Sequence, residues 1–151
     1  MKTLTIVIIG GLLLAGAFFL YSGMTGNVII GSDYCEDFKI PLSDVSREAN
    51  WYEYESPSGT TIKFFAVKAA NGDIKTAFDE CDVCFTQKRG YSQDGDFMVC
   101  NNCGNRYPIT GLGTENIQGG GCWPGYLPSN IQGDYIVIRA SDLNNGEFRF
   151  K

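Results

Sequence analysis

Cys81-Asp82-Val83-Cys84 and Cys100-Asn101-Asn102-Cys103 are the two stretches that decide the fold of this chain. Each CxxC pair brings two thiolates to one centre through a tight turn, and two facing turns form the tetrahedral sulfur cage that zinc and iron both accept. The spacing between the pairs is typical of four-cysteine metal sites. We therefore predict that Cys81, Cys84, Cys100 and Cys103 are ligands of one metal site.

A fifth cysteine lies close downstream, in the run Gly119-Gly120-Gly121-Cys122. Three glycines allow the backbone to approach a bulky centre, although such a run is also typical of a flexible surface loop. Because a closed four-cysteine zinc site has no use for another thiol, we predict that Cys122 binds or tunes the cofactor. Cys35 lies far from the other cysteines in the sequence. Three alternatives stay open for it: a disulfide with Cys122, a disulfide that links two chains, or a free thiol.

Composition excludes several classes of function. The chain has no histidine, which excludes haem held by histidine, Rieske centres, mixed Cys/His zinc sites and catalytic Ser-His or Cys-His pairs. Its 12 basic and 17 acidic residues give a net charge of −5, with no basic cluster. Since contacts to phosphate need a basic face, we expect no nucleic-acid partner.

The N-terminus predicts a membrane segment. Residues 4–20 are apolar or glycine except for Thr5, which is close to the minimum length for a spanning helix, and Lys2 precedes them. We predict an anchor over 1–22, a linker over 23–39 and a metal-binding domain over 40–151. The charge of Lys2 favours a cytoplasmic N-terminus, so the domain would be extracytoplasmic. A signal peptide cleaved near Ala15-Gly16-Ala17 is the alternative, with the same location for the domain.

The remaining pattern predicts a mainly β fold. Aromatic and β-branched runs separated by turn residues predict a β-meander over 51–78, which leads directly into Cys81. A hairpin over 91–99 leads into Cys100, residues 134–139 form a further strand, and 148–150 is a candidate for a last one. We expect a small β-meander domain with two CxxC metal knuckles, similar to rubredoxin or a zinc ribbon.

Charged and aromatic residues surround the cysteines in the sequence. Asp79, Glu80 and Asp82 crowd the first CxxC pair, where they would lower the potential of a redox centre, but a solvated strand end is the expected role. Tyr107 and Trp123 are expected in the core, with shielding of a metal cluster as the alternative.

The chain resembles the FtrD-like membrane iron–sulfur protein family over about half its length. The matching stretches occur in the family's order: Gly59–Lys68, Phe78–Cys84, Lys88–Tyr91, Gly95–Gly104, and Gly120-Gly121-Cys122 followed by Pro124. The resemblance implies a membrane-attached, extracytoplasmic metal-binding domain, associated with iron uptake and electron transfer beside permease-like partners. The chain departs from the family in its single hydrophobic segment, where some relatives have many spans, and in the extra Cys35.

These observations favour an outward-facing metal–thiolate domain that holds iron, as an iron–sulfur cluster or as iron alone. It would pass electrons or iron to a membrane permease or redox partner, as a carrier or accessory rather than an enzyme. Two other functions stay open. One is a structural zinc-ribbon interaction module that binds zinc, and the other is a thiol–disulfide oxidoreductase that uses one CxxC pair. The oxidoreductase is disfavoured because neither CxxC pair lies at the start of a predicted helix, the position that lowers the pKa of a thiol.

Overall fold

A computed structural model describes residues 36–151, which lie within one compact unit. These residues form three antiparallel sheets of three strands each, and one short α-helix. The strands are β1 Phe38–Pro41, β2 Asn50–Glu55, β3 Thr61–Lys68, β4 Ile74–Phe78, β5 Tyr91–Asp94, β6 Phe97–Cys100, β7 Arg106–Pro108, β8 Asn130–Gln132 and β9 Tyr135–Ile138. The helix α1 is Ala140–Asn145, and single 3₁₀ turns cover Leu42–Asp44, Phe85–Gln87, Ile109–Gly111 and Glu147–Arg149. The mainly β prediction is confirmed.

The central sheet is the predicted meander, with strand order β2-β3-β4. Tyr52 lies opposite Phe64 in the first pairing, and Phe64 lies opposite Phe78 in the second. Residues 64–67 of strand β3 are all apolar, because both faces of this part of the strand are buried. Phe64 and Phe65 are neighbours in sequence, point to opposite faces and are both 0% exposed.

Two hydrophobic clusters pack on the two faces of β3. Phe65 and Val67 belong to the cluster that also contains Cys81 and Cys100, which we call the cysteine-side core. Phe64 and Ala66 belong to the second cluster, which includes apolar residues of β1, β9 and α1: Ile40, Ile136, Ile138 and Leu143. The β2-β3-β4 sheet therefore lies between the cysteines and the second cluster, which is formed by β1 near the start of the domain and by β9 and α1 near its end.

The other two sheets occupy these two sides. Strands β5-β6-β7 form the sheet that carries the second CxxC pair, with Tyr91 directly opposite Cys100. Strands β1-β9-β8 form the sheet on the far side, where Ile40 pairs with Ile136. The predicted hairpin over 91–99 is confirmed, and the predicted strand over 134–139 is present as β9.

The candidate strand over 148–150 is wrong. Glu147–Arg149 is a 3₁₀ turn, closed by hydrogen bonds from the Arg149 N–H to the Gly146 carbonyl (3.1 Å) and from the Phe150 N–H to the Glu147 carbonyl (2.9 Å). The alternation of Phe148 and Phe150 around an arginine resembles a strand, but Arg149 is held by a distant carboxylate described below. Long-range contacts thus override the local pattern.

The predicted anchor and most of the predicted linker lie outside the described residues, as does Cys35. Within residues 36–151 there is no helix with the length and apolar character needed to span a bilayer. The domain boundaries at 22 and 39 stay predictions.

Candidate metal centre

Five cysteines converge at one edge of the cysteine-side core, and all five are free thiols. Their sulfur atoms form two trios, and within each trio all the sulfurs lie within 4.8 Å of one another. The first trio is Cys81, Cys84 and Cys122, and the second is Cys84, Cys100 and Cys103. We refer to the whole set as the five-thiol cluster. Cys84 belongs to both trios.

The first CxxC pair lies in a tight turn just after β4. The backbone N–H groups of Val83 and Cys84 point at the sulfur of Cys81, at N···S distances of 3.4 Å and 2.8 Å. Two backbone N–H groups aimed at one sulfur hold the turn in a single conformation. The turn therefore presents Cys81 and Cys84 to the same side.

The second pair repeats this arrangement at the end of β6. The sulfur of Cys100 accepts hydrogen bonds from the backbone N–H groups of Asn102 and Cys103. Gly104 follows with φ +75°, and its N–H donates to the Cys100 carbonyl at 2.8 Å. Glycine adopts this left-handed conformation without strain.

Cys122 is brought to the cluster by a loop with an unusual backbone. Gly119, Gly120 and Gly121 all have positive φ, at +68°, +84° and +66°, so only a run of glycines follows this path without strain. The Gly120 N–H donates to the Asp82 carboxylate at 3.1 Å, and the Tyr91 hydroxyl donates to the Cys122 carbonyl at 2.5 Å. The three glycines are exposed at the surface, but the loop is anchored at two points.

This loop places the Cys122 sulfur 3.3 Å from that of Cys84. A third fixed point lies on the other side of the loop, where the fully buried Asn116 donates from its side-chain amide to the Pro124 carbonyl at 2.8 Å. The structure thus brings Cys122 into a trio with Cys81 and Cys84 and into contact with Cys103. Its function as a ligand stays a prediction.

Burial differs across the cluster. Cys81 and Cys100 are 1% and 2% exposed, Cys84 and Cys122 are half-buried, and Cys103 is exposed. Tyr107 and Trp123 pack against the same core, with ring centroids 4.7 Å apart. The cluster is therefore covered by protein on one side and open to solvent on the side of Cys103.

The thiols influence one another's ionisation. Burial, followed by contacts with Cys84 and Cys103, raises the pKa of the Cys122 thiol, and burial raises the pKa of Cys100 to about 11. The pKa of Cys84 is lowered, first by a hydrogen bond from the Asn102 side chain and then by Cys122. So many thiols at this separation cannot ionise together unless a cation neutralises them, which is the chemistry of a metal–thiolate site.

The acidic residues beside the first pair are not a solvated strand end, contrary to expectation. Asp79 accepts hydrogen bonds from the Tyr91 backbone N–H (2.9 Å) and the Trp51 indole N–H (3.0 Å), and burial raises its pKa. Glu80 is buried and accepts from the Gly90 N–H at 3.1 Å. Burial raises the pKa of Glu80 to about 7. Both carboxylates tie β4 to the segment that leads into the hairpin.

Asp82 makes the contact that sequence reasoning missed. One carboxylate oxygen accepts from Arg149 Nε at 2.9 Å and Nη2 at 2.5 Å, while the other accepts from the Gly120 N–H. The Arg149 guanidinium also lies over the rings of Phe148 (4.3 Å) and Phe78 (5.1 Å). Asp82 thereby joins the first CxxC turn, the Cys122 loop and the C-terminal turn. Its place inside the CxxC motif was the only signal available in the sequence.

The donor set suits a metal. Every candidate ligand is a thiol, and soft thiolates select zinc, iron–sulfur clusters and Cu(I) over hard cations. The four cysteines predicted as one cage all belong to the cluster. However, the sulfur atoms of these four cysteines do not all lie within 4.8 Å of one another. Among the described residues, the cysteines form two trios that share Cys84.

Comparison with known proteins agrees with this chemistry. The model of a family described as "Membrane iron-sulfur containing protein FtrD-like" matches residues 45–150, a span that includes all five described cysteines. The match confirms the resemblance found in the sequence. No curated protein and no solved structure matches the chain.

Proposed function

Because the chain belongs to the FtrD-like family of membrane iron–sulfur containing proteins, we propose that its domain holds an iron–thiolate or iron–sulfur centre and exchanges electrons or iron with a membrane partner. Cys81, Cys84, Cys100 and Cys103 are the proposed metal ligands, and Cys122 is the proposed additional cofactor ligand. The partner is a permease or a redox protein, and the domain is extracytoplasmic.

One observation carries this proposal: five thiols converge on a site that is buried at Cys81 and Cys100 and open at Cys103. An electron or metal carrier needs a centre that is protected from water on most sides yet close to the surface where the partner docks. A purely structural zinc site needs only a closed cage of four ligands. The fifth thiol and the exposed edge support the carrier function.

The residues around the cluster would tune such a centre. When bound, the metal supplies the redox chemistry. The N–H groups directed at the Cys81 and Cys100 sulfurs stabilise negative charge there, which favours the reduced state. Tyr107 and Trp123 limit access of water on one side. Asn102 donates to the Cys84 sulfur and so links the second CxxC turn to the first.

A thiol–disulfide oxidoreductase is the second candidate, and the 3.3 Å contact between the Cys84 and Cys122 sulfurs favours it. In that function these two thiols would form a disulfide while a substrate disulfide is reduced. The pair comes from distant parts of the chain, so it differs from the CxxC dithiol that the sequence suggested for this chemistry.

Purification of the full chain from membranes without oxygen tests these functions. We expect a coloured protein with absorption between about 300 and 450 nm from sulfur-to-iron charge transfer, and iron in the metal analysis. A colourless protein with bound zinc would refute the redox function, and a metal-free protein with an exchangeable Cys84–Cys122 disulfide would support the second candidate.

Two cysteine variants serve as a matched pair in the same experiment. Cys122→Ser should change the visible spectrum or cause loss of the cluster, whereas Cys35→Ser should leave both spectrum and metal content as in the wild type. The opposite pattern would remove Cys122 from the proposed site.

A further inference from the structure

We propose that the five-thiol cluster holds two metal ions and that the Cys84 thiolate is shared between them. Cys81 and Cys122 complete the site of the first ion, and Cys100 and Cys103 complete the site of the second. This inference rests on the proposed function only for the metal-binding role of the thiols. It adds the number of ions and the identity of the bridging ligand.

The size of the two trios is the first argument. A tetrahedral ion with metal–sulfur bonds of about 2.3 Å holds its sulfur atoms roughly 3.8 Å apart. Each trio, with all its sulfurs within 4.8 Å of one another, therefore has the dimensions of ligands around a single ion. A single ion has four tetrahedral positions and would leave one of the five thiols unused.

The position of Cys84 is the second argument. Its sulfur lies 3.3 Å from that of Cys122 and also contacts the sulfurs of Cys81 and Cys100. It is the one thiol of the cluster that belongs to both trios. A bridging ligand must reach both metal positions, and Cys84 meets this requirement.

The third argument is that hydrogen bonds hold the loop of Cys122 in place beside the cluster. Its carbonyl accepts from the Tyr91 hydroxyl, and its loop is held by Asp82 on one side and by the buried Asn116 on the other. A spare thiol would not need a loop fixed at three points. The first CxxC pair supplies only two ligands to the first ion, and Cys122 is the third.

Charge gives the fourth argument. Five thiolates around one divalent ion have a formal charge of roughly −3, and around two such ions roughly −1. Asp82 is already neutralised by Arg149 at 2.5 Å, so this arginine is not available to offset the cluster. When all five cysteines bind metal as thiolates, a second cation leaves the cluster closer to neutral than one cation does.

The two ions differ in access to solvent. Cys81 is buried and Cys122 half-buried, whereas Cys103 is exposed. We therefore expect a chelator to remove the ion held by Cys100 and Cys103 first, so that metal release has two phases. The slower phase belongs to the ion beside Cys81.

Titration with Co²⁺ tests the proposal on the full chain in detergent, reduced and metal-free, without oxygen. Cobalt reports tetrahedral thiolate coordination by its visible spectrum, and its unpaired electrons report on a neighbouring ion through magnetic coupling. We expect saturation at about two equivalents, with an EPR signal that rises over the first equivalent and falls over the second because a shared thiolate couples the two ions. Saturation near one equivalent, or two ions with an undiminished signal, would overturn the proposal.

Variants locate the bridge. Cys122→Ser leaves the second trio complete, so we expect one ion to bind with no later loss of EPR signal. Cys35→Ser is the control and should titrate like the wild type. Coupling that persists in Cys84→Ser would show that another atom bridges the ions, and would overturn the assignment of Cys84.

This test is independent of the proposed function. The cobalt result does not depend on which metal the protein carries in the membrane. Binding of one cobalt ion by a chain that is purified with iron would refute the two-ion centre alone. Binding of two coupled cobalt ions by a chain that is purified with zinc would refute the redox function alone.

Discussion

The ion pair between Asp82 and Arg149 should be the most important charge interaction around the candidate site, and Arg149→Met tests it. The two side chains are only 28% and 12% exposed, and two N–H groups of Arg149 donate to one carboxylate oxygen. Replacement by methionine keeps the apolar stem that packs near Phe78 and Phe148 but leaves the Asp82 carboxylate without its cation. The exposed pair of Arg106 and Asp94, with side chains 49% and 62% exposed, provides the control.

The magnitude follows from burial. Removal of one partner of a fully buried ion pair costs about 3–5 kcal/mol, and an exposed pair contributes about 0–1 kcal/mol. Since Asp82 retains some contact with water, we expect Arg149→Met to lower the free energy of unfolding by about 2–3 kcal/mol, including the lost contacts of the cation with two aromatic rings. Arg106→Met should cost less than about 1 kcal/mol.

Thermal unfolding followed by circular dichroism measures the difference. For a domain of this size, 1 kcal/mol shifts Tm by about 4 °C, so Arg149→Met should lower Tm by about 10 °C and Arg106→Met by at most about 4 °C. All proteins are compared with the same metal content. Added salt should reduce the effect of Arg106→Met more than that of Arg149→Met, because buried pairs are screened less.

A second measurement links this pair to the site. Loss of Arg149 should loosen Asp82 and, through the Gly120 N–H, the loop that carries Cys122. In the metal-free protein, alkylation of Cys122 should become faster in Arg149→Met and stay unchanged in the Arg106 variant. Equal Tm losses in the two variants, or an unchanged alkylation rate, would refute the reasoning.

Three further predictions concern other parts of the chain. Gly146→Ala should destabilise the domain by about 1–3 kcal/mol in a denaturant titration, because an added Cβ would clash with the ring of Phe78; a neutral result would contradict this packing. Glu147 has a pKa lowered to about 2, first by Lys151 and then by two serine hydroxyls, so its contribution to stability is complete above about pH 4.5 and is lost as the pH falls towards 2. Glu147→Gln should therefore be less stable than the wild type at neutral pH, and the difference in denaturation midpoint should narrow in acid; a constant difference would exclude this ionisation. Residues 1–22 should remain in the mature protein and resist alkaline extraction from membranes, whereas a soluble product that begins near residue 18 would identify a cleaved signal.

Much of the fold was predictable because its signals are local. The meander over 51–78 depends on alternating aromatic and β-branched residues between turns, and each strand pairs with its neighbour in sequence. The hairpin that leads into Cys100 follows the same rule. Short elements without such a signal were missed, namely β7, β8 and the six-residue helix Ala140–Asn145. Their positions depend on partners that are distant in the sequence or on packing against the second core.

In the candidate site too, the features with local sequence signals were predictable and those that depend on distant residues were not. The CxxC turns were predictable because the two cysteines and the N–H groups that point at the first sulfur lie within four residues. Cys122 was predicted beside them, but nothing in the sequence showed that Asp82, Tyr91 and Asn116 hold its loop. These contacts span 8 to 38 residues of the chain. No local pattern indicates which carboxylate, hydroxyl or amide will make them.

The position of the cluster explains why fold and site depend on each other. The first CxxC pair follows β4 of the central sheet, the second pair ends β6 of another sheet, and Cys122 comes from a loop that belongs to neither. Thiols of all three segments meet at Cys84, so any ion bound there also cross-links the segments. Because metal binding of this kind contributes directly to the free energy of folding, the same ions that we propose for electron or iron exchange would also hold the sheet of the second pair against the central meander. The opposite side of β3 has its own apolar core, formed by residues such as Phe64, and needs no such cross-link.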